Sequence, residues 1–159
     1  YELENLTHLE LWDNKLTDGI NPEWFSRMQK LKTLDLSYNQ IVRVTKEMFS
    51  HLTTNLTTLD LSCNQFNQLD DGVFSHFKNL EKLNISGNHN LRELKPQVFD
   101  GLDNLENLNM IYFNKNFQLD IDLFQFLPSL KYVNLDNRFE EIQAELLKKY
   151  GSRIEFSFI

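Results

Sequence analysis

The chain has 159 residues, 41% of them hydrophobic and 25% charged, with a formal net charge of −7. That length suits one ordinary domain and is short for two, and the composition is that of a globular chain rather than a disordered one. The acidic balance argues against nucleic acid or an anionic membrane surface as partner, no apolar run reaches the roughly 20 residues that cross a bilayer, and a single cysteine makes neither an internal disulfide nor a zinc pair.

The opening, YELENLTHLEL, has neither the basic leader nor the apolar core of a signal peptide. Leu3 stands where the last apolar residue of a preceding unit would stand. From Leu6 the chain reads LTHLELWDN, and the frame returns as LKTLDLSYN from Leu31, LTTLDLSCN from Leu56 and LEKLNISGN from Leu80. Two looser copies, LENLNMIYF and LKYVNLDNR, start at Leu105 and Leu130; the six starts lie 25, 25, 24, 25 and 25 residues apart. Within each frame the fourth and sixth positions are apolar and alternate with polar ones, the period of a short strand buried on one face.

A second signature follows each strand: Phe25 with Met28, Phe49 with Leu52, Phe74 with Phe77, Phe99 with Leu102 and Phe124 with Leu127, each pair three residues apart. One unit buries too few apolar side chains, at roughly 1.5–3 kcal/mol each, to offset the ordering of its backbone. The units must therefore stack and share a core, with the strands in parallel about 4.8 Å apart on the concave side and the phenylalanines filling the outer half. Asn14, Asn39, Asn64 and Asn88 close the four regular strands, and their amides can satisfy backbone groups between units as a ladder. The ladder should end there, because Phe113 takes the fifth asparagine position, and the turn from Phe113 to Phe117 should bulge. The last stretch changes period. FEEIQAELLKKY spaces Ile142, Leu146 and Tyr150 four apart, which predicts a helix over about 140–150, and IEFSF predicts a final strand over about 153–158. Both raw ends suggest a piece of a longer stack.

In such a stack positions two, three, five, seven and eight of each frame point off the concave sheet. Across the six frames these positions hold seven acids and three lysines, a formal charge of −4. Glu10, Asp35 and Asp60 line the fifth position of the first three frames, with Lys32 nearby, and asparagines occupy it in the last three. Trp12 with Tyr38, and Tyr112 with Tyr132, form an aromatic cluster at each end, and such side chains bury large areas with few rotors. Glu10, Trp12, Lys32, Asp35, Tyr38, Asp60, Tyr112 and Tyr132 are the candidate ligand-binding residues; the alternative for the aromatics is ordinary sheet surface. Asn5, Asn55 and Asn84 open glycosylation triplets, and a glycan on Asn84 would obstruct the middle of the face. Cys63 shares the eighth position with Asp13, Tyr38 and Gly87, a slot that accepts almost any residue type. Catalysis by its thiol lacks a base: His51 and His76 fall on the outer side, and His8 and His89 are too distant by strand spacing. What remains is a free thiol able to form a disulfide only with a partner chain. Neither Asp120-x-Asp122 nor Asp70-Asp71 has the further ligands of a calcium loop, and no phosphate-binding glycine loop occurs, so no metal or cofactor is expected.

Unit lengths of 24–25 with a phenylalanine in the back half, together with DDGVFSHFKNL and LDLSYNQI, resemble the "typical" extracellular leucine-rich repeat proteins. That group includes Toll-like receptors, insect leucine-rich immune proteins and variable lymphocyte receptors. The resemblance covers essentially the whole chain. It implies an α/β solenoid, a horseshoe segment of about six repeats in one domain over 1–159, closed by the helix-strand unit. It further implies a non-enzymatic scaffold that recognises a protein or pathogen-derived ligand in innate immunity or cell-surface recognition, in an extracellular setting, with homo- or heterodimers within its range. An intracellular adaptor of the same fold is the alternative.

Overall fold

The computed structural model describes residues 3–159; Tyr1 and Glu2, at the start of the opening read above, lie outside them. Seven parallel strands form one sheet in strict chain order: β1 (His8–Glu10), β2 (Thr33–Asp35), β3 (Thr58–Asp60), β4 (Lys82–Asn84), β5 (Asn107–Met110), β6 (Tyr132–Leu135) and β7 (Glu155–Phe158). The register is that of the repeat itself, Leu9 beside Leu34, Leu34 beside Leu59, Leu59 beside Leu83 and Leu83 beside Leu108. Strands of three or four residues suffice because the five inner ones pair with two neighbours each and every strand buries only its alternate side chains.

The return paths of the first, second and fourth units contain short 3-10 turns, Pro22–Phe25, Glu47–Phe49 and Pro96–Phe99, and those of the third and fifth contain plain turns, rather than α-helices. A 3-10 turn rises faster per residue than an α-helix and fits a narrow outer face. These turns deliver Phe25, Phe49, Phe99 and, in the units between and after, Phe74 and Phe124 into one column, all five completely buried. Phe49 meets Phe77 edge-on at 5.0 Å and lies 6.5 Å from Phe74, so the rings couple successive units. The core is one continuous strip of strand leucines facing this column.

The asparagine ladder is present, with Asn39, Asn64 and Asn88 as its bridging rungs. Asn64 Nδ2 donates to the carbonyls of Leu36, Leu61 and Ser62, and its Oδ1 accepts from Ile41 N at 3.1 Å. Asn39 repeats the pattern one unit earlier, accepting from Asn14 N and Leu16 N. Asn88 keeps the donor half, but its buried Oδ1 has no partner among the described residues. Two residues, His89 and Asn90, separate Asn88 from the next buried residue, Leu91, where one separates Asn39 from Ile41 and Asn64 from Phe66, so the loop frame shifts at this rung. Beyond it Phe113 fills the ladder position with its ring turned inward, 4.5 Å from Phe117. The expected bulge is thus largely folded in: both rings are buried, and only Lys115 and Asn116 are fully exposed. Asp136 of the sixth unit supplies the missing acceptor, taking Tyr112 N at 3.0 Å and Phe113 N at 3.4 Å, and is itself held by Arg138 at 3.0 Å.

After β6 the chain makes a 3-10 turn, Asn137–Ile142, and then α1, Gln143–Tyr150. Leu146 and Tyr150 face the core, and the Tyr150 hydroxyl donates to Ile121 O at 2.9 Å. Burial pushes the Tyr150 phenol above its ordinary pKa. Arg153 bonds to the carbonyl of Leu127, and Lys149 pairs with Asp122, tying the helix to the fifth unit.

The eighth position is not permissive, as the sequence suggested, but constrained. Asp13, Tyr38, Cys63, Gly87 and Tyr112 all have positive φ, from 53° at Cys63 to 69° at Gly87. The chain leaves each of the first five strands through a left-handed residue, a conformation that costs an L-residue about 1–2 kcal/mol. At Gly87 the slot is also crowded: an added Cβ would stand 2.8 Å from Cys63 Sγ. Gly87→Ala should therefore cost about 1–2 kcal/mol, read as a lower urea midpoint. Adding Cys63→Ala should recover the share due to the sulfur, whereas strictly additive losses would show that this contact is not the cause.

Candidate functional site

Register brings the fifth-position side chains into one row: Glu10, Asp35, Asp60, Asn84, Asn109, Asn134 and Ser157. The third-position row beside it is His8, Thr33, Thr58, Lys82, Asn107, Tyr132 and Glu155. Both rows lie on the concave face, as expected. The seventh position differs from expectation. Ser37, Ser62 and Ser86 are buried rather than presented to solvent, because each supports the fifth-position side chain two residues earlier. Ser62 donates to Asp60 Oδ1 from N at 2.8 Å and from Oγ at 2.6 Å, and Ser86 does the same to Asn84 Oδ1 at 3.2 and 2.6 Å. Asn84 Nδ2 then donates to Asp60 Oδ2 at 2.9 Å, joining two units across the face. A small hydroxyl two residues after an acid or amide was visible in the repeat as DLS, DLS and NIS, and it was the available signal for this arrangement.

The exposed aromatics divide differently from the two end clusters expected. Tyr112 follows the end of β5, whereas Tyr132 opens β6, so they stand at opposite ends of their strands. Trp12 and Tyr38 both stand at the strand exits, where Asp13 N bonds to Ser37 O and Tyr38 N to Ser62 O. Trp12, Tyr38 and Tyr112 therefore mark one rim of the sheet, 53%, 62% and 56% exposed, while Tyr132 stands on the sheet face itself. The left-handed backbone at Tyr38 and Tyr112 sets the direction in which each Cα–Cβ bond leaves the chain at that rim. A hydrogen bond with the Cys63 thiol, reinforced by its charge when ionised, raises the Tyr38 phenol above its ordinary pKa. Cys63 is a free, half-buried thiol.

Glu10 and Lys32 are exposed, and Asp35 and Asp60 half-buried; Ser37 N donates to Asp35 Oδ1 at 2.8 Å. Lys131 pairs with Glu106 at 2.6 Å, and that hydrogen bond raises the lysine pKa. Between the third and sixth units the floor sinks into a shallow depression of ≈ 230 Å³ over Asp60, Lys82, Asn84, Asn107, Asn109, Tyr132 and Asn134. Of the three glycosylation asparagines, Asn5 and Asn55 are exposed, with Asn5 Oδ1 accepting from Lys30 Nζ at 2.7 Å and Asn55 Nδ2 donating to Gln29 O. Asn84 is half-buried with both ends of its amide engaged. Among the described residues no cluster of histidine, cysteine or carboxylate side chains could hold a metal ion, and no helix is long and apolar enough to cross a membrane.

The sequence profile of the Leucine rich repeat family matches residues 4–53 and 54–115. The chain belongs to the leucine rich repeat family. No curated protein matches it in sequence, but many solved leucine rich repeat structures share its fold. One is TLR13 in a structure titled as its complex with ssRNA13, 32% identical, with a TM-score of 0.73 over 83% of this chain and 18% of that one. Another comes from a complex of Latrophilin 3, Unc5D and the leucine rich repeats of FLRT2, 27% identical, TM-score 0.68, covering 99% of this chain and 41% of that one. The Toll–Spatzle complex of Drosophila shares the fold at 22% identity, with a TM-score of 0.70 over 84% of this chain and 17% of that one. The chain thus spans under a fifth of the two Toll-type proteins. The leucine rich repeat solenoid and the likeness to Toll-type extracellular repeats follow from these matches. The net charge no longer argues against nucleic acid, since a fold this similar is found in a structure with single-stranded RNA.

Proposed function

We propose that this chain is a non-enzymatic recognition segment that engages a protein or pathogen-derived ligand with its concave sheet and strand-exit rim, in an extracellular immune or cell-surface setting. The observation that carries the reading is the rim: Trp12 and Tyr38 are large and exposed at the strand exits, beside an acidic row. Rigid aromatic anchors of this kind concentrate binding energy. The solved relatives support a recognition role, being titled as complexes with RNA, with Spatzle and with other receptors. The exposed sequons at Asn5 and Asn55 fit passage through the secretory pathway, and a glycan at either would exclude the cytosolic adaptor. Capture of partners on the tagged natural full-length protein, followed by Trp12→Ala and Tyr38→Ala, tests the site. Each substitution should weaken the captured interaction at least about fivefold, the effect of losing ~1 kcal/mol at an anchor. Undiminished capture by the double variant would remove the rim from the account.

A further inference from the structure

The concave floor changes character after the fourth unit. In units two to four the serine two residues on holds the fifth-position side chain. Units five and six carry Ile111 and Asp136 instead, and Asp136 is engaged by the backbone of Tyr112 and Phe113 and by Arg138. No hydrogen bond among the described residues engages the side-chain amide of Asn107 or Asn134, both half-buried in the shallow depression. Lys82 is exposed beside Asn107 and makes no ion pair among the described residues; Glu106 pairs with Lys131 instead. Asp60, on the far side of the depression, accepts from Ser62 and Asn84 but meets no cation there.

We propose that this depression is a subsite for one ring of a neutral saccharide, with Tyr132 as its platform and Lys82, Asn107, Asn134 and Asp60 on its hydroxyls. The proposal rests on the recognition reading above and names the ligand chemistry of a part of the face that Trp12 and Tyr38 do not line. A hydroxyl donates once and accepts twice. One ring can therefore meet an ammonium, a carboxylate and amides together while carrying no charge of its own. An anionic ligand would gain at Lys82 and be opposed at Asp60, and a cationic one the reverse. A strand of nucleic acid needs several cations for its phosphates, and Lys82 is the one cation among the lining residues. Tyr132 is 49% exposed, and its ring offers an apolar surface to the C–H face of a sugar beside a polar tip. Register sets Lys82, Asn107 and Tyr132 in one row and Asp60 and Asn134 in the next, with about 4.8 Å between strands and about 6.6 Å between rows. Those intervals are comparable to the reach between opposed hydroxyls of one ring. The volume of ≈ 230 Å³ falls below the roughly 300–1,000 Å³ of pockets for drug-sized ligands, which selects a single ring rather than a compact multi-ring molecule. Because the depression is shallow, further sugars of a chain can run out across the sheet.

The test is titration calorimetry of the chain with neutral oligosaccharides: laminarihexaose and chitohexaose for a cell-wall source, and an oligomannose glycan for a glycoprotein source. A heparin hexasaccharide and a single-stranded RNA dodecamer serve as charged probes. At least one neutral oligosaccharide should bind, with an affinity that added salt leaves unchanged. That affinity should fall about tenfold with Tyr132→Ala and about fivefold with Asn107→Ala. It should change by less than about twofold with Lys82→Gln, which keeps a donor but no charge. On the unmodified chain the Tyr132 ring signals should shift in NMR as the sugar is added while those of Tyr112 stay, so the result stands even if a variant folds poorly. Three outcomes overturn the proposal: no neutral oligosaccharide binds, only the charged probes bind, or a neutral one binds with the Tyr132 signals unmoved. If partner capture still depends on Trp12 and Tyr38 in that case, the recognition role survives and only the sugar subsite fails.

Discussion

Replacing Phe49 by alanine is expected to destabilise the fold by about 3–5 kcal/mol, a large share of the roughly 5–15 kcal/mol that holds a domain together. Phe49 is completely buried in the second unit, and its ring touches those of Phe74 and Phe77 in the third. The substitution deletes the ring's burial and leaves a cavity that neighbours on a rigid repeat cannot fill. In a solenoid each unit is stable only through its neighbours, so a gap here weakens the interface with the third unit as well as the second unit itself. Urea denaturation followed by circular dichroism should show the midpoint falling sharply. Trp24→Ala, on the exposed part of the preceding turn, should move it by less than about 0.5 kcal/mol. Equal losses at the two positions would contradict a shared inner column.

Asn64→Ala should cost about 2–4 kcal/mol, from one polar side chain. Its amide satisfies the carbonyls of Leu36, Leu61 and Ser62 and the N–H of Ile41, and the residue is 6% exposed. Truncation strands the buried Ile41 N–H, at about 1–3 kcal/mol, and removes one of two donors from each carbonyl, since Leu36 O, Leu61 O and Ser62 O keep Asn39 Nδ2, Asn88 Nδ2 and Tyr38 N. Asn64→Asp should be at least as damaging, since it keeps the acceptor but replaces the donor with a second oxygen facing three carbonyls. Asn14→Ala provides the contrast. That side chain is exposed and bonds only to its own Trp12 carbonyl, so the loss should be small by the same denaturation measurement. A large loss at Asn14 with a small one at Asn64 would contradict the ladder.

These two residues also show how much the sequence disclosed. The leucine frame, the phenylalanine column and the regular asparagines recur at one interval, and a repeat that cannot fold alone has only one way to bury them. The face was legible for the same reason, because strand alternation assigns the fifth position to it. What escaped was whatever depended on a partner many residues away or on a backbone angle. The burial of Ser37, Ser62 and Ser86 arises from hydrogen bonds that a two-residue alternation does not encode. The left-handed exits at Tyr38, Cys63 and Tyr112 are occupied by residues with no preference for that conformation, so residue type gave no warning. The substitution of Asp136 for the fifth asparagine joins residues 24 positions apart, and it is the stacking of unit six on unit five that creates it. Tyr112 and Tyr132 share one end of the stack but not one end of their strands, so nearness in repeat number does not bring their rings together.

In the proposed function the concave face and its strand-exit rim, not the outer turns, meet the ligand. Hydroxyl-radical footprinting of the free chain and of its complex with a captured partner reads this directly, because exposed aromatics stand on both sides. The predicted result is that oxidation of Trp12 and Tyr38 falls at least about fivefold on binding while Trp24 and Phe126 on the outer turns react as before. Protection of Trp24 and Phe126 with Trp12 and Tyr38 unchanged would place the interface on the opposite side and contradict the account.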